Sequence, residues 1–203
     1  GWIVTASDYA GLGTPPPFTY LEGQQETTDV VNSVRAAAAL TDARAGKQWA
    51  VYGHSQGGHS ALWTAALAPD MAPELELVGA AAAAPAADLF ATINQQWDTT
   101  ISWVIGPEVV VSWPDTYPDL QPSDVVSDAG LSATESEAQD CLLASGLFGL
   151  ARQDLAKQTY FKVNPYANQA WAKALDEQTP KPTKASMPVF VGQGTDDEVV
   201  LAN

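Results

Sequence analysis

The sequence predicts an α/β fold: a mostly parallel β-sheet into which a mainly helical segment is inserted. Three observations carry this prediction. Strand-like and helix-like runs alternate from residue 1 to about residue 87, the pattern of a parallel sheet with crossover helices. Over 88–185 the sequence turns helical, proline-broken and rich in aromatic residues. A final strand-like run, "MPVFVGQG" (187–194), then restores the earlier pattern. The expected organisation is a sheet-based core from 1–87 and 186–203, with 88–185 as a helical cap.

Taken in order, "GWIVTASD" (1–8) reads as a buried strand over about 2–6 that closes in a polar turn. "YAGLGTPPPFTYLEG" (9–23) is a Gly- and Pro-dense loop. Its Gly11-Leu12-Gly13 is no dinucleotide fingerprint, because prolines follow where a helix should open. From Glu26 to Arg44 the spacing of Val30, Val31, Val34, Ala37 and Ala38 predicts an amphipathic helix, ended by Gly46. "QWAVY" (48–52) is the next strand, and "SALWTAALA" (60–68) a helix stopped by Pro69. "LELVGAAAAA" (75–84) gives a third strand, about 76–82, poor in bulky side chains, so that neighbouring backbones can approach closely.

Within 88–185 two stretches read as helices. One is "SATESEAQDCLLASGLFGLA" (132–151), with Ser132 or Thr134 as its cap, and the other is "PYANQAWAKALDEQ" (165–178). "EVVVSW" (108–113) fits helix or strand. Trp97, Trp103, Trp113, Tyr117, Phe148, Tyr160 and Trp171 are expected to form mainly the core of this segment. The Pro-rich "TPKPTKASM" (179–187) leads back to a strand over about 187–192.

The totals bound the function. The chain has 203 residues and 24 acidic against 9 basic side chains, a formal net charge of −15. Such a surface repels nucleic acid and anionic lipid, so no nucleic-acid partner is expected. No apolar run approaches the roughly 20 residues of a membrane helix. Two histidines and one cysteine make no metal-ligand set, and there is no phosphate-binding loop, so neither metal nor cofactor is expected. Cys141 has no partner within the chain and reads as a partly buried thiol.

The chemistry concentrates in "VYGHSQGGHS" (51–60). Gly53-His54-Ser55-Gln56-Gly57 fits G-x-S-x-G between a predicted strand and a predicted helix, the context that gives this motif meaning. A nucleophilic serine there sits on a strained turn that lifts its Oγ clear of the sheet. Glycines two positions before and after are expected to avoid collision. Ser55 is therefore the candidate nucleophile. The backbone N–H of Gln56, at a helix N-terminus, is the candidate oxyanion donor. The orienting acid is expected just past a later strand end, where Thr195-Asp196-Asp197-Glu198 lies; Asp197 is preferred and Asp196 is the reserve. Neither His54 nor His59 follows the acid, so neither is expected to be the general base.

Together, "GWIVTASDYAGLG", "YLEGQQETTDVVNSVRAA", "VYGHSQGGHSALWTAALAP", "LVGAAAAAPAADL" and "VFVGQGTDDEVV" resemble the secretory lipase family, lipase A-type α/β-hydrolases of fungi and actinobacteria. The resemblance spans the whole chain and implies a partial α/β-hydrolase fold with a helical cap at 88–185. It implies a secreted serine ester hydrolase that works through a Ser-Asp-His triad and an acyl-enzyme, on a small acyl ester or lipid, without a cofactor. By position it makes Ser55 the nucleophile and Asp197 the acid, and it pairs Asp8 with Gln56 in the oxyanion hole. It also implies cap aromatics such as Trp103 and Trp113 along an acyl pocket. The family's histidine follows the acid and its first strands precede "GWIVTA". These residues are therefore expected to be an internal piece of a longer hydrolase. Sheet edges would be left open to self-association, and a partner for Cys141 would lie elsewhere. Other readings stay open: a catalytically dead pseudo-hydrolase that binds an acyl ligand, an acyltransferase or peptidase on the same fold, or an assembly in which a second chain brings the histidine.

Overall fold

The structure, a computed structural model, describes residues 1–138, 158–181 and 187–202. It divides into two compact units, Gly1–Ala87 with Pro180–Ala202, and Asp88–Thr179. Cys141 and Phe148, and the second half of the predicted 132–151 helix, lie outside the described residues.

In the first unit, helix α1 (Gly23–Ala39) is followed by strand β1 (Gln48–His54), helix α2 (Gln56–Met71), strand β2 (Glu76–Ala83) and, from the end of the chain, strand β3 (Val189–Gly192). The strands form a parallel sheet in the order β1-β2-β3. His54 pairs with Ala83 and Ala83 with Gly192, so the C-terminal ends of all three strands are level. This is the edge at which open α/β sheets place their chemistry.

The sequence accounts for the packing. Trp49, Val51 and Gly53 alternate as the buried positions of β1. Against them lie Ala61, Ala65 and Ala68 of α2, Ala80 and Ala82 of β2, Val31 of α1, and Met187. Burying each larger side chain contributes roughly 1.5–3 kcal/mol. The alanines add little area; what they permit is close contact between α2 and the sheet. Pro69 does not stop α2, which runs to Met71 and closes with the Ala72 N–H on the Ala68 carbonyl at 2.9 Å. One backbone bond lost this near a helix end is tolerated. α1 ends earlier than its apolar pattern: Leu40 is extended, a 3-10 turn takes Thr41–Ala43, and Arg44 turns left-handed at φ 52°.

Residues 2–6 are a correction. They form no strand, and Trp2 and Val4 are 80% and 87% exposed. They instead wall a cleft of about 780 Å³ with Val34, Trp49 and Tyr52. An apolar run becomes a strand only where a ladder partner and a covered face meet it, and here it has neither.

The second unit is helical: α3 (Leu89–Gln96), α4 (Ile101–Thr116), α5 (Pro122–Val125), α6 (Asp128–Ala138) and α7 (Gln169–Gln178). The ambiguous "EVVVSW" lies within α4. α6 starts at Asp128, so Ser132 and Thr134 are interior and not caps. Their hydroxyls bond back to the Ala129 and Gly130 carbonyls. α3 and α7 are capped by Asp88 and Asn168, whose side chains accept N–H bonds from the first turn. Trp103, Trp113, Tyr160 and Trp171 are buried in this unit's own core. Trp113 stacks on Trp171 at 6.4 Å, and Trp103 meets Tyr160 edge-on at 5.4 Å. The implied placing of Trp103 and Trp113 along an acyl pocket is thus corrected: both are 0% exposed, packed among aromatic neighbours.

Candidate active site

Ser55 sits at the junction of β1 and α2 with φ 57° and ψ −117°, a conformation that L-residues rarely adopt. The surrounding bonds hold it there. Its N–H donates to the Ala83 carbonyl at 3.0 Å, extending the β1–β2 ladder by one residue. Its carbonyl accepts the first helical bond of α2, from the His59 N–H at 3.1 Å. The chain passes from sheet to helix across this single residue. The Gln56 N–H precedes that first helical bond, among the donors a helix leaves unused at its start.

The two motif glycines are not equivalent. A Cβ on Gly53 would lie 1.8 Å from the Gly57 carbonyl oxygen, so any side chain there breaks the turn. A Cβ on Gly57 would meet nothing within 4 Å. The expected collision is real on the strand side and absent on the helix side.

Asp197 follows the end of β3. Its Oδ1 accepts the N–H groups of Val199 and Val200 at 2.9 and 3.0 Å, and its Oδ2 accepts from Gln193 Nε2 at 3.1 Å. The Val200 and Val199 bonds, with smaller help from Gln193 and the charge of His54, hold this carboxyl below its ordinary range. Asp196 accepts from the neighbouring Thr195 hydroxyl at 3.4 Å and is exposed. His54 is also exposed, on the side of β1 away from Trp49 and Val51. Ser55, His54 and Asp197 thus occupy the C-terminal edge of one sheet.

Asp8 has an exposed side chain. Its segment is tied down beside it: Tyr9 is left-handed at φ 61°, and the Ala10 N–H donates to Asp29 Oδ2 at 2.8 Å. Burial, then the negative charges of Glu26 and Asp29, push the Tyr9 phenol above its ordinary value.

His59 is fully buried and engaged on both nitrogens. Nδ1 lies 2.8 Å from Glu26 Oε2, and Nε2 lies 3.1 Å from the Trp63 indole nitrogen. An indole N–H can only donate, so Nε2 accepts and Nδ1 carries the proton given to Glu26. His59 is therefore held as one tautomer, away from proton transfer. Glu26 Oε1 accepts from the Leu21 N–H at 3.1 Å and from Gln56 Nε2 at 2.9 Å. Sequence reasoning missed Glu26. The signal available was an acid in the first turn of the helix otherwise read only for its apolar face, with no partner visible in the chain order.

Among the described residues no group of three or more His, Cys, Asp or Glu could hold a metal ion, and no helix is long and apolar enough to cross a membrane. The 780 Å³ cleft is lined by neither Ser55, Gln56 nor Asp197.

A sequence profile described as secretory lipase matches residues 1–202. This chain belongs to the secretory lipase family. Lipase 9 of Candida albicans is 28% identical over 211 residues, 98% of this chain and 45% of that lipase. Lipase 2 of the same organism is 31% identical over 149 residues, 70% of this chain and 31% of its own. The chain thus spans less than half the length of these curated relatives. Its fold is that of the α/β-hydrolase lipases. The rice cell wall degrading esterase LipA from Xanthomonas oryzae superposes with a TM-score of 0.78 at 20% identity, over 96% of this chain and 56% of that one. Candida antarctica lipase A superposes with a TM-score of 0.69 at 17% identity, over 91% and 44%.

Proposed function

We propose that this chain carries the nucleophile, the triad acid and the oxyanion donor of a secreted carboxylic ester hydrolase acting on acyl esters or lipids. The observation that carries the reading is the strained Ser55 turn between β1 and α2, at the level C-terminal edge of a parallel sheet. Ser55 Oγ attacks the ester carbonyl carbon as a histidine takes its proton. The carbonyl oxygen becomes an oxyanion against the Gln56 N–H, with Asp8 as the second contributor. Collapse expels the alcohol, which takes the proton back, and leaves an acyl-Ser55. Water, activated by the same base, then releases the acid. Asp197 orients that histidine, and the reaction needs no cofactor.

The base comes from outside these 203 residues in this reading. His59 is locked between Glu26 and Trp63, and His54 immediately precedes the nucleophile on the strand. The helical unit Asp88–Thr179 takes the part of the family's cap. The family's description supports the secreted part of this reading.

The engagement of His59 also favours a second reading, a pseudo-hydrolase that binds acyl ligands without turning them over. Hydrolysis of a chromogenic short-chain acyl ester by the full-length gene product, beside Ser55→Ala, separates the two. The first reading expects turnover that falls by roughly 10⁶ in the variant. No Ser55-dependent turnover from a folded protein would leave the second.

A further inference from the structure

We propose that Glu26 is a positioning residue for the oxyanion donor, acting through the side chain of Gln56. This rests on the reading of Ser55 as nucleophile and Gln56 N–H as oxyanion donor.

Glu26 is 0% exposed, and three donors from three places in the chain converge on its carboxylate. The Leu21 N–H comes from the turn before α1, where Leu21 itself is left-handed at φ 51°. Gln56 Nε2 comes from the first residue of α2. His59 Nδ1 comes from one turn further along the same helix. The network continues to Trp63, whose ring lies so close to Gly23 that a Cβ there would be 2.3 Å from it. α1 and the first two turns of α2 are therefore joined through one buried carboxylate.

The placement has a chemical consequence. Gln56 follows the strained Ser55, and the direction of its N–H sets where an oxyanion is held. A backbone N–H at the start of a helix has no ladder bond of its own to fix it. The Glu26–Gln56 bond supplies a tether from the side chain instead. Oxyanion stabilisation depends on donors already aimed at the site, so a loosened donor lowers turnover without weakening ground-state binding. The His59–Trp63 arm fixes the carboxylate's second oxygen, so Glu26 cannot rotate away.

The test is steady-state ester hydrolysis by the full-length gene product, comparing wild type, Ser55→Ala, Glu26→Gln and Gln56→Ala, with hydrogen exchange read over residues 54–58. Glu26→Gln keeps the shape but cannot accept all three bonds. Gln56→Ala keeps the backbone N–H and removes only the tether. We expect kcat to fall about tenfold or more in both, KM to stay within about twofold, and the double variant to be little worse than either single one. Exchange at 54–58 should quicken in both variants while β2 stays protected. Should Glu26→Gln fail to fold, Gln56→Ala decides alone. Unchanged kcat in a folded variant, or losses that simply multiply in the double variant, overturns the positioning role while leaving Ser55 in place. Absence of Ser55-dependent hydrolysis in the wild type overturns the catalytic reading first, and the positioning role with it.

Discussion

The Glu26 carboxylate and the His59 imidazole lie 2.8 Å apart with neither side chain exposed to solvent. A buried hydrogen bond of this kind, from a neutral imidazole to a carboxylate, adds only modest net stability, because both groups give up bonds to water. Removing one partner is different, because the other stays buried without its bond. His59→Ala is expected to lower unfolding free energy by about 3 kcal/mol or more, because one oxygen of the Glu26 carboxylate is left unsatisfied. His59→Gln, which can still donate to Glu26, should cost less. Urea denaturation followed by tryptophan fluorescence measures both.

The two motif glycines give a contrasted pair. Gly53→Ala puts a methyl group 1.8 Å from the Gly57 carbonyl and should prevent the turn from forming, destabilising by more than about 4 kcal/mol. Gly57→Ala meets open space in the first turn of α2 and should change stability by less than about 1 kcal/mol. Expression yield and thermal unfolding of the two variants check this.

Asp197 ties its loop together through the Val199 and Val200 N–H groups. Its folded value is depressed, so its contribution is fully present above the ordinary aspartate range and is lost as pH falls through the depressed value. The carboxylate is little shielded from water, so the effect is small, about 1 kcal/mol or less. Asp197→Asn should speed hydrogen exchange over 195–200 at pH 7. Once pH falls below the depressed value of Asp197, the two proteins should exchange alike.

Glu108, on α4, has the opposite sign. Burial raises its carboxyl from 4.5 to about 7. Below 4.5 folded and unfolded chains both hold the proton and nothing is lost. Between 4.5 and about 7 the unfolded chain ionises first, so stability falls as pH rises, and above 7 the penalty is constant. Glu108→Gln should therefore leave stability unchanged at pH 4 and raise it at pH 8 by on the order of 1–3 kcal/mol. Denaturation curves at the two pH values decide.

Much of the fold was legible because its signals are local. Strand-like "QWAVY" and "LELVGAAAAA", and the turn residues between them, specify β1, β2 and the Ser55 junction without reference to distant parts of the chain. "GWIVTASD" shows the limit: an apolar alternation states a preference, and pairing requires a neighbour at the right edge. Pro69 shows another, since a helix breaker one turn from a helix end has little left to break. The placing of Ser55 at a strand–helix turn and of Asp197 past a strand end could be read from strand–turn context. The Glu26–Gln56–His59 network could not, because Glu26 lies 30 and 33 residues from the other two and meets them only when α1 lies along α2. Trp103 and Trp113 were legible as core by composition, and the family's cap drew them wrongly toward a pocket.

The most direct test of the central claim is covalent trapping. The full-length gene product would be treated with a fluorophosphonate, and the labelled peptides identified by mass spectrometry. A serine activated within an ester hydrolase should take up one phosphonyl group on Ser55, with none on Ser60, and Ser55→Ala should take up none. A folded protein that stays unlabelled, or that carries its label on another residue, would contradict Ser55 as the nucleophile.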